Sequence, residues 1–133
     1  MFLIVAGVFF AIFLSIELIV HHSVPDAVEP STNRTVAIQL EVLNGTSEPK
    51  AAERLTEALR FGGFDVVDMG NYKSSNVART TVIGRTADKS SAVAVASYLG
   101  VDKSMVLQRP DKNLYLDVSV VIGKDFNKLR VFK

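Results

Sequence analysis

The chain has 133 residues, a formal net charge of +1, 48% hydrophobic residues and no cysteine. That length suits one small domain with an accessory segment rather than two domains with separate cores. The absence of cysteine excludes a disulfide framework and a thiolate metal site, and near-neutrality leaves no electrostatic footprint for nucleic acid.

Hydrophobicity is concentrated at the start, where residues 1–20 are apolar except for Ser15 and Glu17. About 20 residues at roughly 1.5 Å rise span about 30 Å of hydrocarbon, so this run is long enough to act as a single-pass transmembrane anchor. A signal peptide is the competing reading, but its basic leading region is missing: MFLIVAGVFF holds no Lys or Arg. The first basic residue after the run is Arg34, so nothing retains a cytoplasmic flank there. The rest of the chain is expected on the periplasmic or extracellular side. Glu17, near the far end, is placed to reach the headgroup region. Residues 21–34, HHSVPDAVEPSTNR, have a linker composition. His21 and His22 are the only histidines, and two ligands do not make a metal site.

From Thr35 to Leu43 the sequence TVAIQLEVL puts Val36, Ile38, Leu40 and Val42 on one face, the period of a half-buried strand. Asn44-Gly45 follows as a pair that tolerates positive φ, and Ser47-Glu48-Pro49 offers a capping hydroxyl, an acid and a proline for a first helical turn. Ala51, Ala52, Leu55, Ala58 and Leu59 recur at helical spacing, and Gly62-Gly63 supplies a C-cap. Phe64 to Met69 reads as a second strand and Thr80 to Ile83 as a third, separated by the polar loop GNYKSSNVAR. A second helix is predicted from about Asp88, with Thr86 or Asp88 as cap, Ala92, Val95, Ala96 and Leu99 on one face, and Gly100 as stop. Met105 to Gln108 is a candidate extra strand, 111–113 a turn, and Tyr115 to Ile122 the last strand, closed by Gly123-Lys124-Asp125. The order β-α-β-β-α-β predicts an α/β fold of the two-layer α+β sandwich type, with a mixed sheet and both helices on one face.

Three stretches carry a resemblance to a known family: LEVLNGTSEPKAAERLTEALRFGGFDVVDMGN, then TTVIGR and AVAVASYLG, and finally DVSVVIGKDF. Together they resemble the LytR C-terminal domain of bacterial cell-envelope proteins over roughly Val36 to Phe126. Asn44, Gly45, Thr46, Gly63, Gly100, Gly123 and Asp125 are the matching positions. That family's domain often follows a catalytic domain acting on wall glycopolymers and also stands alone behind a transmembrane helix. The catalytic domain is missing from this chain, so the resemblance implies fold and compartment rather than transferase activity. The implied organisation is anchor 1–20, linker 21–34, domain 35–126 and a basic tail 127–133.

Two clusters are candidate sites. Asn44, Gly45, Thr46 and Ser47 precede a helix N-terminus, where free amides and the helix dipole favour an anion, although capping by Asn44 and Ser47 explains the same residues. The glycine spacing matches neither a dinucleotide fingerprint nor a P-loop, so no nucleotide cofactor is expected. Between Asp68 and Asp88 there is no acid, while Tyr72, Lys73, Arg79 and Arg85 occur. This patch suits an anionic wall polymer, phospholipid headgroups or an acidic envelope protein. Lys124, Lys128, Arg130 and Lys133 form a second basic run. Beyond residue 22 the chain holds neither Cys nor His, so the usual nucleophile–base pairs of an enzyme are absent. The sequence thus reads as a non-catalytic, membrane-anchored envelope domain that binds a wall polymer or an envelope partner. A structural subunit acting through protein contact is the alternative, and an unrecognised hydrolase or transferase the third.

Overall fold

The structure, a computed structural model, describes residues 36–133. The predicted anchor, the linker, Glu17, His21, His22 and Thr35 lie outside the described residues. Seven regular elements follow in order: β1 (Gln39–Asn44), α1 (Ala51–Phe61), β2 (Asp65–Asn71), β3 (Thr81–Gly84), α2 (Ser90–Leu99), β4 (Val106–Gln108) and β5 (Val118–Ile122). Among the described residues no helix is long and apolar enough to cross a membrane.

The five strands form one mixed sheet in the order β2-β1-β5-β3-β4. β1 runs parallel to β2 and β5, while β3 is antiparallel to β5 and parallel to β4. Two β-α-β units, β1-α1-β2 and β3-α2-β4, therefore point in opposite directions and are joined by β5, the last of the described strands. The predicted order is observed, and the candidate extra strand is β4. Both helices lie on one sheet face and touch: the Tyr98 hydroxyl of α2 donates to the Ala58 carbonyl of α1 at 2.8 Å, and the Phe64 and Tyr98 rings are 5.2 Å apart.

The alternation read in the sequence places the core between these layers. Leu40 and Val42 of β1, Val82 of β3, and Val118, Val120 and Ile122 of β5 meet Leu55 and Leu59 of α1 and Val95 and Leu99 of α2, all fully buried. Each such side chain contributes roughly 1.5–3 kcal/mol relative to exposure. Both helices end in the same way. Gly63 (φ 87°) and Gly100 (φ 74°) are left-handed, and the amides of Phe64 and Val101 reach back to Leu59 and Ala96, the pattern of a Schellman motif.

Three boundaries and one turn residue differ from expectation. β1 begins at Gln39, and Val36 is 83% exposed rather than part of the core face. α1 begins at Ala51, after Lys50 with no side-chain cap, and Ser47 is exposed before it. Gly45 does not take positive φ; its lack of a side chain is needed because a Cβ would fall 2.4 Å from the Ile122 carbonyl oxygen. The last strand starts at Val118 rather than Tyr115. Asp117 instead brackets Gln39, accepting its amide at 2.9 Å through Oδ2 and donating its own amide to the Gln39 carbonyl at 2.8 Å, while Tyr115 turns at φ 44°.

The run 126–133 folds back as two short 3-10 turns, Phe126–Lys128 and Arg130–Phe132. Phe126 and Leu129 are buried, Phe132 packs on the core, and the Arg54 guanidinium sits 5.5 and 4.9 Å from the Phe126 and Phe132 ring centroids. The residues predicted as a basic tail thus close one side of the core and leave Lys128, Arg130 and Lys133 exposed.

Two exposed carboxylates tie local turns. The Ser90 amide and hydroxyl hold Asp88 below the ordinary carboxylate value of 3.8 at the start of α2, and the Ser104 hydroxyl and amide do the same for Asp102 before the 3-10 turn at Lys103–Met105. A depressed folded-state value contributes stability above 3.8 and loses it as pH falls through the lower folded-state value. The double variant Asp88→Asn, Asp102→Asn is therefore expected to flatten the acid limb of a melting-temperature profile below about pH 4, while leaving its neutral shape unchanged.

Candidate functional site

The carboxyl ends of β1, β2 and β5 lie side by side, because the three strands are parallel. The chain builds a rigid loop cluster on this end. Asn44 is buried, and its Oδ1 accepts from the Thr46 amide at 2.9 Å and the Thr46 hydroxyl at 2.8 Å, while its Nδ2 donates to the Glu48 carbonyl at 2.8 Å. Thr46 Oγ1 in turn accepts the Glu48 amide at 3.2 Å. The Asn44–Thr46 turn thereby satisfies its own polar groups, so it serves as scaffold. Ser47 takes no part in these bonds.

The loop after β2 is fastened to that turn. The Tyr72 amide donates to the Asn44 carbonyl at 2.9 Å, the Val77 amide to the Gly45 carbonyl at 2.9 Å, and the Lys124 amide to the Val77 carbonyl at 2.9 Å. On this frame the Lys73 ammonium lies 5.8 Å from the Tyr72 ring centroid, and Lys124 Nζ bonds Asn76 Oδ1. Asp125 completes the frame by accepting the Thr80 amide at 2.7 Å and the Thr80 hydroxyl at 2.8 Å, with the Gly123 amide donating to Thr80 Oγ1 at 3.1 Å. The result is a surface that carries the half-buried Tyr72 ring beside the exposed Lys73, Asn76 and Lys124 side chains, two ammonium groups and an amide that can meet an anion.

The predicted patch is therefore divided. Tyr72 and Lys73 stand on this surface. Arg79 lines a small cavity of about 150 Å³ with Asp102, Asp125 and Lys128, where two acids balance the two bases. Arg85 follows Gly84 at the opposite end of β3, four strand residues away. There its Nε donates to Ser119 Oγ at 2.8 Å, and the Ser119 hydroxyl donates to Glu41 Oε1 at 2.5 Å. Because Ser119 is fully buried, this trio pins β1, β3 and β5 together on the helix-free face of the sheet. Lys124 joins Tyr72, Lys73 and Asn76, which share one loop, through the parallel pairing of β1 with β5; the sequence carries no local signal for that pairing.

Among the described residues no group of three or more His, Cys, Asp or Glu is placed to hold a metal ion. A larger cleft of about 410 Å³ lies at the other end of the sheet, bordered by Gln39, Arg85, Lys112 and Tyr115.

A family model described as LytR cell envelope-related transcriptional attenuator matches residues 37–126. No curated protein matches the chain. Among solved structures, the chain is similar to the soluble domain of a conserved hypothetical secreted protein from Mycobacterium marinum, with a TM-score of 0.54 and 22% identity. The match covers 69% of this chain and 62% of that one, so this chain spans less than two thirds of its neighbour, and the likeness concerns the fold.

Proposed function

The chain belongs to the LytR cell envelope-related transcriptional attenuator family, and from that membership we propose that it is a non-catalytic bacterial envelope domain, anchored by residues 1–20, that binds an anionic wall polymer. The supporting observation is the backbone-fastened surface on which Tyr72, Lys73, Asn76 and Lys124 stand together. A loop backbone held in place loses little freedom on binding, which offsets part of the cost of ordering an extended, flexible ligand. With the anchor oriented as its flanking residues suggest, this surface lies on the periplasmic or extracellular side.

The test is retention of the full chain, held in lipid nanodiscs, on purified cell-wall sacculi. The double variant Lys73→Gln, Lys124→Gln is expected to weaken retention about tenfold, equivalent to about 1.4 kcal/mol, and raised salt to do the same. Retention no greater than that of an unrelated protein of equal charge would remove the polymer reading. An envelope protein is the second reading, favoured by the edge strand β2, on which Val67 and Met69 are half-exposed. A single stoichiometric protein partner in membrane crosslinking would select it.

A further inference from the structure

Seven large hydrophobic side chains are exposed on the domain, and they fall into two groups. Val67, Met69, Val93 and Leu107 are 40–50% exposed, whereas Phe61, Tyr115 and Val36 are 93%, 89% and 83% exposed. The three extreme cases share one end of the molecule. The Asp65 amide donates to the Ile38 carbonyl at 3.0 Å, which sets the turn after Phe61 on one flank of the incoming chain. The Asp117 amide donates to the Gln39 carbonyl at 2.8 Å, which sets the Tyr115 loop on the other flank. Phe61 and Tyr115 thus bracket the place where Val36 leads into β1, the end opposite Tyr72, Lys73 and Lys124.

We propose that this end is a membrane-contacting surface, with Phe61, Tyr115 and Val36 seated in the headgroup region of a lipid bilayer; the proposal rests on the reading of residues 1–20 as an anchor. Everything N-terminal to the domain reaches it through Val36, and the fourteen residues 21–34 span at most about 50 Å. The bilayer is therefore held at high effective concentration beside this end. The chemistry fits an interface. Aromatic rings with adjacent cations are the side chains that favour the boundary between hydrocarbon and water, and Arg60 and Lys112 accompany Phe61 and Tyr115. Lys112 borders the same cleft as Tyr115, and Arg60, next to Phe61 in the chain, is exposed while its Nη2 donates to the Val66 carbonyl at 3.0 Å.

The backbone supports the same reading. Tyr115 is left-handed without being glycine, a conformation that costs a tyrosine energy, and its ring is almost wholly exposed, so packing within the domain does not offset the cost. On the membrane reading, contact outside the domain offsets it. Four acids at this end carry intramolecular donors: Asp117 and Asp65 accept from Gln39, Asp111 from Asn113 and Asp88 from Ser90; Glu57, which shares a groove with Phe61, is exposed and stays in water on the rim. A glycopolymer offers the rings of Phe61 and Tyr115 a sugar face but nothing for Val36 to enter, which favours lipid over the polymer at this end.

The chain has no native cysteine, so single nitroxide labels report one position each. The full chain carrying Phe61→Cys, Tyr115→Cys or Lys73→Cys would be reconstituted in vesicles of phosphatidylcholine with one quarter phosphatidylglycerol, and label collision measured with oxygen and with a water-soluble nickel chelate. Labels at 61 and 115 are expected to show an oxygen-to-nickel ratio at least about threefold above that at 73, because oxygen partitions into hydrocarbon and the chelate does not. Equal ratios at all three positions, in protein that floats with the vesicles, would overturn the membrane face and leave the anchor standing. Labels at 61 and 115 shielded from both reagents would overturn it in favour of a protein contact. Failure of the full chain to float with the vesicles would bring down the anchor and the membrane face together.

Discussion

Gly123→Ala is expected to lower the melting temperature of the domain by about 12 to 24 °C, the equivalent of about 3 kcal/mol in a domain of this size. The reason is steric and lies in backbone atoms. A Cβ at this position would fall 2.3 Å from the Arg79 carbonyl carbon and 2.5 Å from the Thr80 amide nitrogen, so no rotamer change relieves it. The strand end must move away from the loop before β3, and the Gly123 to Thr80 hydrogen bond moves with it. Gly63→Ala is the internal control. That glycine has φ 87° with nothing within 4 Å of its missing Cβ, so its substitution carries only the cost of a left-handed backbone, roughly 1 kcal/mol. Thermal denaturation followed by circular dichroism orders the two, and a Gly123→Ala loss no larger than that of Gly63→Ala would contradict the crowding argument.

Asp125→Ala is expected to destabilise the domain by about 2–3 kcal/mol, measured by denaturant unfolding, and Asp125→Asn by less than about 1 kcal/mol. Thr80 is 1% exposed, and its amide and hydroxyl both donate to Asp125 Oδ1. Alanine leaves those donors buried without an acceptor, whereas asparagine retains an acceptor oxygen of the same reach. If both variants lost the same amount, the contribution would lie in the carboxylate charge rather than in the two hydrogen bonds.

Much of the fold was legible because the relevant signals are local. Leu40 and Val42 alternate, Leu55 and Leu59 recur four apart, and Gly63 and Gly100 stand where helices must stop. These patterns need no knowledge of neighbours, and the family match over 37–126 falls on the stretches that carried the resemblance. The site was less legible because its geometry depends on pairing. Arg79 and Arg85 are close in sequence, yet β3 carries them to opposite ends of the sheet. Gly45 was read as a turn residue because Asn-Gly pairs favour positive φ; its actual constraint comes from Ile122, far along the chain. The C-terminal charges drew attention away from Phe126, Leu129 and Phe132, whose three-residue spacing was the available sign that this run packs.

The position of β5 has a further consequence for how the protein comes into being. It is synthesised after the other four strands and is the middle strand of the sheet, paired on both sides with β1 and β3. Until it arrives, each β-α-β unit presents an open strand edge, the kind of surface that invites pairing with another chain. Closure also needs contacts between residues nearly eighty positions apart, such as Leu40 with Val118, a separation that slows folding. A chain that emerges from its amino terminus therefore cannot complete its sheet until Val118–Ile122 is free, and a chain cut before Val118 would hold two half-sheets without the strand that makes them one.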